Sequence, residues 1–355
     1  LEDDKLVSKV KRFQRAVAGE LGSIDVAASF ETTKQREFVY ELFKNSTCLV
    51  DIDEEPPHAL NREALSTALL VAATFNAQVP DEIEPMRKSV VDGSDPSAFQ
   101  RTMQVGYGAK VEINGRSITI PSIFLEEESS GIVSSSGSSV EYSVDRLGVP
   151  LIEIDTDPEI RTPEEAKAVA YKIGMLLRLT GKVQRGIGTI RQDVNLSVKG
   201  GARVEIKGFQ ELDVMDAIIE NEVERQLRLL EIKKTLGERN AKVHAAVDLT
   251  KIFFNTSSRV IKDNIKDGGA VYGSRLEGFA GQMGKEISPN RRLGSEISDY
   301  AKVFGIKGII HSDENLDGYS LSAEEIGSLK ERLGIKDGDA FMLVAGNAVA
   351  AKKAI

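Results

Sequence analysis

The sequence predicts an α+β chain of two domains. Three observations lead there. Turn residues and alternating apolar positions write two β-hairpins, one around Asn114-Gly115 and one around residues 200–202. Capped amphipathic helices begin after Asn61 and Thr162. The polar stretch around residues 231–242 ends this pattern, and a smaller α+β unit follows it. A length of 355 residues also exceeds that of a usual single domain. The expected boundaries are 1–240 and 241–355.

In chain order, a polar, mixed-charge opening runs to 54-EEPPH-58, which breaks the chain. Asn61 then caps a helix over roughly residues 62–76, with Leu65, Leu69 and Ala72 at helical spacing, which reads as structural. In 109-AKVEINGRSITI-120 a two-residue turn at Asn114-Gly115 pairs Val111 with Ile118. The run 129-SSGIVSSSGSSVEYS-143 reads as an exposed, mobile loop between the strand ending in 124-FLEEE-128 and a strand in 148-GVPLIEIDTDPEI-160. In that second strand Leu151 and Glu153 share one face, Ile152 and Ile154 the other, so an acid stands where apolar packing would be expected.

Thr162, Pro163 and Glu165 supply the N-cap, first-turn proline and capping-box acid of a helix ending at Gly181. Met215, Ile219, Val223, Leu227 and Leu230 write another. The C-terminal unit reads as helix 296-EISDYAKVFG-305, strand 308-GIIH-311, a helix from the Ser322/Glu325 capping box to Gly334, and strand 340-AFMLVAG-346.

Composition narrows the function classes. The longest apolar stretch, 64-ALSTALLVAATF-75, is too short and interrupted to cross a bilayer, and a cytoplasmic location is the default expectation. A lone cysteine, Cys48, excludes an internal disulfide framework, and His58, His244 and His311 lack zinc-ligand spacing with one another. A net charge of −9 argues against a chain that coats nucleic acid through its overall field, though it leaves room for local basic contacts. The chain opens on Leu1 and stops at 345-AGNAVAAKKAI-355, so both ends read as cut.

The stretch 190-IRQDVNLSVKGGARVEIKG-208 is the most informative. A three-residue loop, Gly200-Gly201-Ala202, pairs Val198 with Val204, Ser197 with Glu205 and Asn195 with Lys207, keeping both faces pure. Arg191, Asp193, Asn195, Glu205 and Lys207 then share one face. Taken alone, that is an ordinary solvated sheet face with cross-strand charge pairs. With Glu126 to Glu128 and Glu153 also on strand-like segments, the set has the chemistry of a magnesium-nucleotide site: hard cations take carboxylate oxygens, and phosphates take guanidinium or ammonium partners. No Gly-x-x-x-x-Gly-Lys-Ser/Thr loop is present, and 186-GIG-188 is too short for a dinucleotide fingerprint, so a nucleotide here would bind a sheet face.

At these residues the sequence resembles a known family. The strings 125-LEEE-128, 145-DRLGVPLIEIDTDPEIRTPEEA-166, 191-RQDVNLSV-198 and 203-RVEIKG-208 are similar to the B/E subunits of tRNA-dependent amidotransferases. The forms 53-DEEPPH-58, 99-FQRT-102, 182-KVQRGIGTIRQDVN-195 and 276-LEGFAGQMGKE-286 resemble the archaeal E type, and the C-terminal unit, through 341-FMLVAG-346, the small domain shared with bacterial aspartyl-tRNA synthetases. The resemblance implies a glutamine-synthetase-like antiparallel sheet in a catalytic cradle, 1–240, and an insert (GAD) domain, 241–355. It implies ATP and Mg2+ as cofactors, and amidation of Glu-tRNA(Gln) to Gln-tRNA(Gln) through a phosphorylated glutamyl side chain. Ammonia would come from an asparaginase-type partner subunit, in a heterotetramer of subunit pairs.

Carried over residue by residue, Glu126 and Glu153 match the family's metal-binding glutamates. Glu127 is the substitute for Glu126 if the strand register is off by one, and a structural Glu153 would pair with Arg146 or Arg161. Arg146, Asp193, Asn195, Glu205 and Lys207 fall in motif strings that line the family's cleft, with Arg191 and Lys207 as nucleotide contacts. The family's opening strand, with its metal-binding histidine, has no match near Leu1, and His58 matches a different segment. The family's C-terminal helical and tail domains find no match either, so the chain is expected to be a fragment that folds yet lacks competent catalysis. Two other functions stay open: a noncatalytic tRNA- or protein-binding module, and an ATP-dependent amide ligase for a small amino acid.

Overall fold

A computed structural model describes the chain apart from residues 1–3, 14–17, 19–21, 25, 34–35, 137–138 and 187. Leu1, two positions of the Ser/Gly run and the centre of 186-GIG-188 thus lie outside the described residues. Contacts divide the chain into two compact units, Leu1–Arg191 and Gln192–Ile355. The change of sequence character at 240/241 falls at the end of a long helix that belongs, by its contacts, to the second unit.

The first unit contains strands β1 (Leu6–Arg12), β2 (Glu37–Phe43), β3 (Met86–Ser89), β4 (Phe99–Ile113), β5 (Arg116–Glu127), β6 (Gly131–Ser135), β7 (Ser139–Ser143) and β8 (Pro150–Ile154). Its helices are α1 (Val26–Thr33), α2 (Arg62–Thr74) and α3 (Pro163–Leu179). One sheet has the order β3-β4-β5-β8 and is antiparallel throughout. Its apolar face, with Met103, Val105, Ile123, Leu125, Ile152 and Ile154, packs against α2 and α3 through Val71, Phe75, Val169 and Leu177. The Asn114-Gly115 turn has both residues at positive φ and sets Val111 opposite Ile118, as the alternation requires.

The second sheet, β1-β2-β7-β6, corrects two expectations. The Ser/Gly run is mostly a strand pair, because Val140 and Tyr142 alternate with Glu141 and Ser143 and bury on Phe38 and Tyr40. Tyr40 and Tyr142 stack with ring centroids 5.9 Å apart. In addition, β2 and β7 run parallel, so this sheet is mixed. A parallel pair needs a long crossover, and here the β3-β4-β5 meander lies between the two strands.

Asn61 accepts from Glu63 N and Ala64 N, as an N-cap does. Asn61→Ala should lower stability by about 1 kcal/mol, read from thermal unfolding; an unchanged midpoint would contradict the cap. Thr162 accepts from Glu165 N, but Glu165 does not complete the capping box. Its carboxylate takes Arg161 N and Arg116, which reaches it from β5.

The second unit contains β9 (Gln192–Leu196), β10 (Val204–Phe209), α4 (Met215–Glu238), β11 (Lys242–Val243), β12 (Val247–Asp248), α5 (Arg259–Ile265), β13 (Gly269–Glu277), β14 (Glu286–Ser288), β15 (Arg291–Arg292), α6 (Leu293–Lys302), β16 (Ile309–His311), α7 (Ala323–Leu333), β17 (Ala340–Asn347) and α8 (Ala348–Ala354). A sheet around β13 and β17 buries Val271, Phe341 and Leu343 on one face and Leu276, Met342 and Val344 on the other. The Ser322/Glu325 capping box forms, and Gly334 stops α7 at φ 65°. In α4 the helical repeat holds for Met215 and Ile219, but Leu227 is exposed and its neighbour Gln226 is buried. No helix among the described residues is long and apolar enough to cross a membrane.

Candidate functional site

The polar face of the β3-β4-β5-β8 sheet brings the predicted metal-binding glutamates together. Antiparallel register sets Thr102 opposite Glu126, Glu126 opposite Leu151, and Phe124 opposite Glu153, so all five side chains leave the sheet on one side. That placement explains the acid in 150-PLIEI-154. Ile152 and Ile154 complete the core, while Glu153, on the edge strand, is half exposed on the opposite face.

Glu126 is 5% exposed and accepts from Thr102 Oγ1 at 2.9 Å and from Lys88 Nζ at 3.1 Å; Gln100 Nε2 lies 3.5 Å from its other oxygen. Lys88 Nζ is also 3.8 Å from Glu153. A buried carboxylate is tolerable only when compensated, and here a cation and a hydroxyl do so. Burial pushes the Glu153 carboxyl up to about 7, helped by its hydrogen bond to Glu126, the negative charge of Glu126 and that of Asp155, and opposed by Lys88. For Lys88, burial favours the neutral amine, but the bond to Glu126 and the charges of Glu126, Glu153 and Asp155 win and raise its pKa. Two carboxylates on a rigid sheet face fit Mg2+, which commonly takes one or two protein carboxylates and completes its shell with water and substrate phosphate. Among the described residues, no group of three or more His, Cys, Asp or Glu forms a site of its own.

Neighbouring acids go elsewhere. Glu127 projects from the other face into a fork with Arg101, so it does not replace Glu126. Arg146 does not pair with Glu153; with Arg191 it converges on Glu128, at 3.2 and 2.9 Å. Arg191 therefore precedes β9 and leaves the hairpin face on which it was expected.

In the second unit, the β9–β10 register is two residues from the expected one. Val204 faces Leu196 and Glu205 faces Asn195. A shift of two keeps the faces pure, so Asp193, Asn195, Glu205 and Lys207 still share an exposed face. Lys207 Nζ is 3.2 Å from Glu205 and 3.8 Å from Asp193, whose other oxygen accepts from Gly208 N at 2.9 Å. The expected Val198–Val204 pair is lost because Gln226 of α4 ends β9 early: it accepts from Val198 N and donates to Leu196 O. An open hollow of about 310 Å3 adjoins Lys207, lined also by Phe209, Glu211, Val214 and Ile218.

Sequence reasoning missed Lys88, Gln100 and Thr102. The four residues of β3 are too few for a periodic signal, and Lys88 meets Glu126 only through strand pairing. It also missed the segment 91–98, whose backbone is anchored by Tyr40 Oη to Gly93 O and Tyr142 Oη to Asp92 O. Asp95, 4% exposed, accepts there from Ser129 Oγ at 2.8 Å. The turn-rich string 92-DGSDP-96 was the available signal.

The chain is 48% identical to the E-type subunit of glutamyl-tRNA(Gln) amidotransferase from Sulfolobus acidocaldarius, over 99% of this chain and 57% of that protein. It is 47% identical to the protein of the same name from Archaeoglobus fulgidus and 46% to that of Methanocaldococcus jannaschii, each over 97% of this chain and 55% of the relative. The chain thus spans little more than half the length of these relatives. Residues 261–355 match the GAD domain. Residues 3–279, which include both predicted glutamates and the β9–β10 hairpin, match the GatB/GatE catalytic domain, and the chain belongs to that family.

Proposed function

We propose that this chain is the catalytic part of a tRNA-dependent amidotransferase subunit that converts Glu-tRNA(Gln) to Gln-tRNA(Gln) with ATP and Mg2+. The observation that carries the reading is the placement of Glu126, Glu153 and Lys88 on one rigid sheet face. The family match and the relatives' names support it.

The chemistry asks for such a face. A carboxylate is a poor acceptor for ammonia, so the glutamyl side-chain oxygen first attacks the γ-phosphorus of ATP, and ADP leaves. Ammonia then attacks the acyl carbon, and phosphate leaves. Glu126 and Glu153 would hold Mg2+, which when bound neutralises charge on the transferring phosphoryl group. Glu126 fixes the ammonium of Lys88 beside that position, where it would meet an anionic oxygen. Arg146 and Arg191, steadied by Glu128, present guanidinium edges suited to phosphate, and Asp193, Asn195, Glu205 and Lys207 offer donors and acceptors for the glutamyl-adenosine end of the tRNA. An asparaginase-type partner supplies the ammonia, in a heterotetramer of subunit pairs. The sheet plays the part of a glutamine-synthetase-like cradle.

The test supplies the full-length protein and its partner with ATP, Mg2+ and ammonium, plus either glutamyl-tRNA(Gln) or free glutamate. We expect ADP and glutaminyl-tRNA only with the acylated tRNA. Turnover with free glutamate alone would instead establish a small-molecule amide ligase, and tRNA binding without ADP release would establish a noncatalytic module.

A further inference from the structure

The buried face of α4 carries a polar chain that neither the proposed reaction nor the core explains. Gln226, 4% exposed, uses its whole carboxamide: Oε1 accepts from Val198 N at 3.0 Å, and Nε2 donates to Leu196 O at 3.3 Å and to Glu222 Oε1 at 2.8 Å. A Cβ at Gly201 would lie 2.6 Å from Gln226 Oε1, so the glycine lets the loop approach. Because a carboxylate only accepts, Glu222 dictates which end of the amide faces Val198.

Glu222 is in turn held by one edge of the Arg225 guanidinium, with Nε to Oε2 at 2.7 Å and Nη2 to Oε1 at 3.0 Å. The remaining terminal nitrogen of Arg225, Nη1, donates to Glu296 Oε1 at 2.5 Å. Side chains of Glu222, Arg225 and Glu296 are 10%, 18% and 17% exposed, so solvent screens these charges far less than it would a surface pair. Glu296 stands in the first turn of α6, which packs through Ile297 and Ala301 on the sheet of β16 and β17. Glu296 lies in the stretch matched by the GAD domain alone, and Gln226 and the hairpin lie in the stretch matched by the catalytic domain alone.

We propose that Arg225 is a positioning residue through which the GAD portion sets the hairpin that carries Asn195 and Glu205. The path is continuous: Glu296 and Glu222 orient Arg225, Glu222 orients the amide of Gln226, and Gln226 fixes Leu196 and Val198, next to Asn195 and at the end of β9. That the hairpin face meets the aminoacyl end of the tRNA rests on the proposed function; the coupling itself does not.

The experiment is residue-resolved amide exchange on the 355-residue chain for Glu296→Gln, Gln226→Ala and the double variant. Glu296→Gln should speed exchange of Val198 N–H by roughly tenfold, the scale of one ordinary hydrogen bond, with β13 and β17 amides unchanged. In the Gln226→Ala background the same change should add nothing, because the path is already cut. Should Gln226→Ala fail to fold, Arg225→Met takes its place in the cycle. Independent, additive effects, or unaltered Val198 exchange in Glu296→Gln, would overturn the coupling. In the full-length protein with its partner, Glu296→Gln should raise KM for glutamyl-tRNA(Gln) several-fold with KM for ATP unchanged. Coupling with an unaltered tRNA KM would overturn the positioning role alone, whereas a parent protein without amidation would overturn the activity and leave the coupling standing.

Discussion

Glu126→Gln and Glu153→Gln should each weaken the proposed binding of Mg-ATP to this chain by roughly thirtyfold, and the double variant should show no saturable, metal-dependent binding. The magnitude follows from loss of a charged oxygen at the proposed cation site: a charge-assisted contact contributes about 2 kcal/mol, and that is about thirtyfold in affinity. The two variants differ in what they do to the fold. Glu153 is 44% exposed, so its replacement should leave the unfolding midpoint close to that of the parent. Glu126 is buried and accepts from Thr102 and Lys88, so its replacement leaves an ammonium without its main counter-charge and should lower stability by about 1–3 kcal/mol. Isothermal titration beside thermal melts separates these effects. Parent-like Mg-ATP affinity in both variants would remove the glutamates from the metal site.

Asp95→Asn should stabilise the protein at pH 8 and not at pH 4. Burial pushes the Asp95 carboxyl up to about 7, against the hydrogen bond from Ser129, with the charges of Asp92, Glu127 and Glu128 adding to the rise. In the unfolded chain the group ionises near ~4. Below that pH both states hold the proton and the group is neutral to stability. Between pH ~4 and ~7 the unfolded state gives the proton up while the folded state keeps it, so stability falls with rising pH. Above ~7 the cost is complete, about 4 kcal/mol for a shift of about three units. Asparagine removes the titration, and its carbonyl can still accept from Ser129. Chemical denaturation of both proteins from pH 4 to 8 should show a gap that opens through this window. A gap of constant size would mean that Asp95 is ionised in the fold throughout.

Asp95 lies outside the sites that motif reading singled out, and the reason is physical. Its environment is assembled by Ser129, which donates to it, and by Tyr40 and Tyr142, which anchor its own segment, all tens of residues away along the chain. The same holds for Lys88, which reaches Glu126 across 38 positions. Alternation, by contrast, sets Glu153 on the face opposite Ile152 and Ile154, and the proposal that Glu126 and Glu153 hold a metal comes from the family resemblance. Their mutual placement came from the β5–β8 register, which no local pattern states.

Local chemistry alone determined the caps at Asn61, Thr162 and Ser322, the Asn114-Gly115 turn with its register, the left-handed stop at Gly334 and the face that Glu153 takes on its strand. Each of these depends on groups within a few residues of one another, so the sequence states it directly. Tertiary structure decided the rest. Gln226 moved the β9–β10 register by two, buried tyrosines turned a Ser/Gly run into strands, β2 and β7 paired in parallel, and Lys88 came to lie between two glutamates. Each of those outcomes depends on which distant segment supplies the partner, and only the packed chain brings the partners together.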